Sequence, residues 1–223
     1  RNATNATAFI DKVKSETGIE IIIISGDVEA ELIWNGVKQS VDLKEDKSLL
    51  MDIGGGSVEF IIANAEKVFW KQSFDIGGAL LLEKFQPSDP VTTDTIKTLE
   101  TFFDKELLTL YQACQLNMPV QLIGSSGTFD TFTDLIHAQY ELPTIPGTTF
   151  FEYDMEHYRQ VHDQLLKSTH DERLAMKGMT AFRADMIVIA SILLTFVLRK
   201  LGIKKLTAST YAVKEGILYK LLG

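Results

Sequence analysis

Three consecutive glycines between two apolar runs, in Leu50-Met51-Asp52-Ile53-Gly54-Gly55-Gly56-Ser57-Val58-Glu59-Phe60, constrain the fold of this chain more than any other feature. The pattern reads as strand, tight turn, strand. Glycines lack a Cβ, so they let the backbone fold back sharply and turn successive N–H groups toward an anion. Asp52 stands at the strand end, where a carboxylate can hold a hard cation beside that anion. Ser57 adds a hydroxyl, and Glu59 lies two residues on, on the same face if the second strand is regular. Two readings stay open on these residues alone: a phosphate–metal loop, or a glycine-rich hairpin turn beside an incidental Asp. A Walker loop is excluded, because no Gly-Lys-Ser/Thr follows.

Around this turn the sequence alternates strand and helix patterns. Residues 5–17 carry Ala6, Phe9, Ile10 and Val13 at helical spacing and stop at Thr17-Gly18. The β-branched run 19–25 predicts a strand buried on both faces. A short helix with Glu29, Leu32, Ile33 and Trp34 follows. Strands are predicted at 48–53, 58–63 and 67–74, then a helix opened by Gly77-Gly78 and running through Phe85. Asp94 or Thr93 caps one long helix to Cys114, with Leu99, Phe102, Phe103 and Leu107 on one face. A strand at 120–123 ends in Gly124-Ser125-Ser126-Gly127-Thr128 and leads into a helix; 140–150, with Pro143, Pro146 and Gly147, reads as irregular. Helices at 153–167, 171–176 and 184–201, a strand at 205–209 and a helix at 211–221 complete an α/β layered pattern.

Composition narrows the function classes. The 223 residues carry a formal net charge of −8, which argues against nonspecific nucleic acid or anionic membrane as partner. A phosphate held by backbone amides and a few arginines is compatible with that charge. Cys114 is the only cysteine, so no intrachain disulfide forms, and a reducing cytoplasm is expected. The apolar segment 186–198 is shorter than the ~20 residues a membrane span needs, and Ser191, Thr195 and Arg199 suit a buried core helix. Arg1 in place of methionine, with helix beginning at once, reads as a domain cut from something longer.

Other polar residues carry two readings each. Gly124 to Thr128 links a strand to a helix start, which is either an anion site or a structural N-cap. Glu29, just past a strand pattern, can orient or deprotonate water, or can be a solvated helix residue. Arg1 and Arg183 suit phosphate geometry, or serve as surface ion pairs. His137, His157, His162 and His170 show no metal spacing, and His170-Asp171 lacks the further histidines a metal-hydrolase site requires.

The ordered set of motifs resembles the exopolyphosphatase / guanosine pentaphosphate phosphatase family. The match runs through Arg1-Asn2-Ala3-Thr4-Asn5, Thr17-Gly18-Ile19-Glu20, Ser25-Gly26 with Glu29-Ala30, and Asp52 to Glu59. It continues through Phe74-Asp75-Ile76-Gly77-Gly78-Ala79, Gly124 to Thr128, Arg183-Ala184-Asp185 and Lys214-Glu215-Gly216. The resemblance implies a ribonuclease-H-like domain of the actin/hexokinase/Hsp70-like fold, a mixed sheet flanked by helices. It implies that residues 1–223 are the second of two such domains, with the first absent from this chain. It further implies Glu29 as the residue activating water, Arg1 as a catalytic group in the cleft that neutralises the leaving chain, and Asp52 and Glu59 as carboxylates for a divalent cation, Mg²⁺ or another. Gly54, Gly55, Gly56, Ser57, Asn5, Arg183, Ser126, Gly127 and Thr128 would contact phosphate. The substrate implied is polyphosphate or guanosine pentaphosphate, and a homodimer is compatible with the pattern.

Three departures bear on grip. Val58 replaces a Thr, Leu80 stands where many members have Arg, and Glu31 replaces a frequent Arg. Each charge-assisted phosphate contact contributes about 1.5–3 kcal/mol, so these changes would weaken hold on a long polyanion and leave a shorter substrate, such as a nucleotide polyphosphate, open. A nucleotide- or alarmone-binding regulator with little turnover is the alternative on the same scaffold.

Overall fold

The computed structural model of the chain describes residues 5–222. Strands β1 (Ser48–Ile53), β2 (Val58–Ala63) and β3 (Val68–Phe74) follow one another as antiparallel neighbours. β4 (Gln121–Ser125) lies parallel to β1 on its other side, and β6 (Leu206–Ser209) parallel to β4. The short β5 (Phe150–Glu152) closes that edge antiparallel to β6, giving the order β3-β2-β1-β4-β6-β5.

β1 and β2 are buried along their whole length, because both faces of the sheet are covered. Alternate residues therefore enter two different cores. Leu49, Met51 and Ile53 of β1, with Val58, Phe60 and Ile62 of β2, belong to the larger one. It is built from α3 (Gly78–Phe85), α4 (Thr93–Glu106), α5 (Leu108–Asn117), α6 (Gly127–Gln139), α7 (Met155–Lys167) and α10 (Ile187–Leu201). α10 is apolar nearly all round and buried accordingly. Leu50, Ile61 and Ile123 point the other way and meet Ala30, Ile33 and Val37 of α2 (Gly26–Ser40). α11 (Val213–Leu222) packs on α2, while α8 (His170–Ala175) and α9 (Ala181–Ala184) form a small unit between α7 and α10. No helix among the described residues is long and apolar enough to cross a membrane.

The structure corrects several sequence expectations. Residues 19–25 are not a strand: they join neither sheet edge, and Ile22 is 79% exposed. A β-branched run predicts a strand only where a partner supplies its ladder hydrogen bonds. α1 (Ala6–Thr17) forms as expected, yet none of its residues is buried. The single helix expected to Cys114 is broken at Leu107, whose ψ of 17° lies outside the helical range. Its cap is Thr92, which accepts from the Thr95 N–H, rather than Asp94 or Thr93. β5 emerges from the stretch read as irregular, too short at three residues to show a period. Cys114 is buried and its thiol is pushed up to about 12 by that burial, so it stays a protonated apolar side chain.

Candidate active site

The pairing register lines up Ser73, Glu59, Asp52 and Ser125 across β3, β2, β1 and β4. Directly opposed residues share a face, here the face that carries α2. Glu59 is 1% exposed and Asp52 7% exposed. The sheet satisfies both with hydroxyls. Ser57 and Ser73 each donate to Glu59 Oε1 at 2.7 Å. Ser125 donates to Asp52 Oδ2 at 2.8 Å and Ser126 to Oδ1 at 2.6 Å.

Burial pushes the Asp52 carboxyl up to about 7; the two serine hydroxyls oppose the shift, and the charges of Glu59 and Glu29 add to it. The last cause places Glu29 within electrostatic reach of the row. It stands in the first turn of α2, where Ser25 caps the helix by accepting from the Val28 N–H at 3.3 Å. Ala30, Ile33 and Val37 press α2 onto Leu50, Ile61 and Ile123, the neighbours of Asp52, Glu59 and Ser125 on that face. The helix thereby carries Glu29 over the polar row.

The glycine turn is clasped by the start of α3. Gly54 N–H donates to the Ser57 carbonyl at 3.0 Å. Gly77 and Gly78 N–H donate to the carbonyls of Gly56 and Gly54, and Ala79 and Leu80 N–H to that of Gly55. A Cβ on Gly77 would lie 2.4 Å from the Gly55 carbonyl oxygen, so only glycine fits there. With its carbonyls engaged, the turn presents amides outward, and no hydrogen bond among the described residues uses the N–H of Gly55 or Gly56. The Ser57 hydroxyl donates to Glu59 in this arrangement.

The second turn lies one strand over. Ser126 has φ 70° and ψ 179°, a backbone region that favours glycine, and its hydroxyl is spent on Asp52. Behind it the guanidinium of Arg183 lies against Gly127: a Cβ there would come within 1.7 Å of Arg183 Nη2. Met186 packs on Gly78 in the same way, with Cβ 3.5 Å from where a Gly78 Cβ would be. Segment 183–186 therefore joins the starts of α3 and α6.

Other expectations fall differently. Arg1 lies outside the described residues. Asn5 precedes α1 and makes no side-chain cap bond, and Thr128 is buried inside α6. Val58 points into the large apolar core, away from Glu59, so the hydroxyl missing there is not lost from the site. Glu31 pairs with Lys71 Nζ at 2.5 Å, which neutralises its charge and holds its carboxyl below the usual range. Ser73 and Ser125 are the residues that sequence reasoning missed. Their role is created by strand register, and their one local signal is position: both sit at strand ends beside glycine motifs.

The solved structure of an exopolyphosphatase from Cytophaga hutchinsonii superposes with a TM-score of 0.96 and 42% identity, over 100% of this chain and 72% of that one. The whole chain, residues 1–223, also matches the profile of the Ppx/GppA phosphatase family. The chain belongs to the Ppx/GppA phosphatase family. Exopolyphosphatase 1 of Mycobacterium bovis is 25% identical over 228 residues. Exopolyphosphatase 2 of Mycobacterium tuberculosis is 28% identical over 212 residues. The chain spans 64% of the length of each of these mycobacterial relatives.

The six-stranded sheet is accordingly the actin/hexokinase-like ATPase fold of Ppx/GppA proteins. The hard oxygen donors of Asp52 and Glu59 suit a divalent cation. Among the described residues, however, no group of three or more His, Cys, Asp or Glu side chains forms a ready cage.

Proposed function

We propose that the protein carrying this chain is a phosphohydrolase that releases terminal orthophosphate from inorganic polyphosphate or guanosine pentaphosphate. The observation that carries this reading is the convergence of Glu29, Asp52 and Glu59 on one side of an outward-facing glycine turn. Glu29 takes a proton from a water that attacks the terminal phosphorus; the P–O anhydride bond breaks, and the shortened chain leaves with the bridging oxygen. The amides of Gly55 and Gly56 hold the phosphoryl oxygens as charge develops. Asp52 and Glu59 would hold Mg²⁺ or another divalent cation, which supplies Lewis-acid polarisation of those oxygens. Arg183, against Gly127, contacts the phosphate from the second turn. Arg1 and Asn5 join on the family resemblance alone.

The chain is proposed to act as the second ribonuclease-H-like domain, with a first domain facing it. The exposed apolar residues of α1 and of the 19–25 run support this: Phe9 and Ile19 are each 61% exposed. A cytoplasmic setting accords with the single buried thiol.

Phosphate release by the two-domain protein, with Mg²⁺, from long polyphosphate and from guanosine pentaphosphate tests the proposal. Glu29→Gln is expected to reduce it on the order of 10²–10⁴-fold, and release left unchanged by that substitution removes Glu29 from the chemistry. One observation favours the regulator reading: exposed, apolar Leu80 stands at the turn, its N–H on the Gly55 carbonyl, where a cation would grip a polyanion. Saturable guanosine polyphosphate binding without turnover would select it.

A further inference from the structure

Arg183 is held by a helix of only four residues, α9, which is too short to fix its own geometry. What fixes it lies on the side away from the glycine turns. Arg173 of α8 is a buried guanidinium, 5% exposed. Its Nε donates to the carbonyl of Ala184 at 2.8 Å. Its Nη1 donates to the Ser168 carbonyl at 2.6 Å and to Asp89 Oδ1 at 2.8 Å. Asp89 also accepts from the His170 N–H at 2.5 Å, at the start of α8. The His170 ring then reaches Asp185 Oδ1 at 3.2 Å.

Each residue of Arg183-Ala184-Asp185 is thus engaged separately. Arg183 lies on Gly127, Ala184 is held by Arg173, and Asp185 meets His170. Burial opposes ionisation of Asp89, but the His170 N–H and the Arg173 guanidinium outweigh it and hold its carboxyl below the usual range. Charge-assisted bonds out of water are directional and strong, so this cluster sets where the Ala184 peptide stands. Arg183 directly precedes Ala184 in the chain, so its backbone moves with that residue. The cluster also gives His170 a structural use.

We propose that Arg173, through the Ala184 carbonyl, is a positioning residue that holds Arg183 against Gly127 and so sets the affinity of the site for its phosphate-bearing substrate. The inference rests on the reading of Arg183 as a phosphate contact given above.

The test is a double-substitution cycle in the two-domain protein, measuring kcat and KM for polyphosphate. Arg183→Ala should raise KM about tenfold, the loss of one charge-assisted contact. Arg173→Met should raise KM about threefold to tenfold with kcat within about twofold, and Arg173→Lys should not rescue it, since an ammonium lacks the guanidinium fork. The decisive arm is Arg173→Met with Arg183→Ala: its KM should match that of Arg183→Ala alone, because Arg173 acts only through Arg183. Effects that multiply, or a KM unmoved by Arg173→Met while Arg183→Ala raises it, overturn the positioning role and leave the Arg183 reading standing. A KM unmoved by Arg183→Ala overturns both. Should Arg173→Met not fold, Asp89→Asn, which keeps the shape and removes the countercharge, decides by the same cycle.

Discussion

Asp52 and Glu59 lie in a row that the sheet otherwise buries, and four serine hydroxyls donate to them there. A hydroxyl donates one bond without cancelling the charge, so the carboxylates keep their field while losing water. For Asp52 the balance falls on the side of protonation, up to about 7, against an ordinary value of 3.8. The sign of the linkage follows. The folded chain holds a proton that the unfolded chain has released above its ordinary value, so stability falls as pH rises from about 4 toward 7. Without a divalent cation, Asp52→Asn should raise the thermal midpoint at pH 8 by the equivalent of at least about 1 kcal/mol, each pKa unit being worth ~1.4 kcal/mol. It should also flatten the dependence on pH between 5 and 8 and abolish hydrolysis. Melting curves of both proteins across that range check it, and a destabilised Asp52→Asn would remove the account. At this scale the carboxylates and glycines were legible because they fall within one contiguous stretch. Ser73 and Ser125 were not, since only pairing brings residues 14 and 73 positions away onto the same carboxylates. Val58 misled for a related reason: adjacent positions on a strand face opposite cores.

Glu29 owes its place to an element contact. α2 and α11 cross so closely that a Cβ on Gly36 would lie 2.1 Å from the Ala212 carbonyl oxygen, and one on Gly216 1.9 Å from that of Leu32. Both obstacles are backbone and cannot swing aside. Gly216→Ala should therefore push the helices apart, destabilising the protein by roughly 1–3 kcal/mol or more. Because α2 carries Glu29, turnover should fall as well. Unfolding curves together with phosphate release measure the two effects, and an unchanged midpoint would mean that the crossing yields more than its geometry indicates. Gly127 is different in kind, because its obstacle is the movable end of the Arg183 side chain. Five of the six strands and most helices were legible in hydrophobic period and turn residues. The run 19–25 was misread because its composition speaks for a strand while no described partner is present. The break at Leu107 was invisible because Leu107 N–H still bonds Phe103 and its carbonyl still accepts from Tyr111, so the helical period carries through.

For the molecule as a whole, the site forms where three chain reversals meet at one end of the sheet: the β1–β2 turn, the start of α3 and the β4–α6 turn. Segment 183–186 binds them together from the far side of the sequence. Such an arrangement tolerates surface change elsewhere and is sensitive to any displacement of that segment. The unpartnered run 19–25 has a consequence of another sort, in colloidal behaviour. Three exposed isoleucines, at 61%, 79% and 53% exposure for Ile19, Ile22 and Ile23, lie in a β-branched run outside the described sheet, a composition that favours intermolecular sheet addition. In isolation the chain should scatter light increasingly with concentration and on warming, well below its unfolding temperature. A lysine at position 22 should suppress that scattering without moving the unfolding midpoint, as a gatekeeper charge does on an open strand.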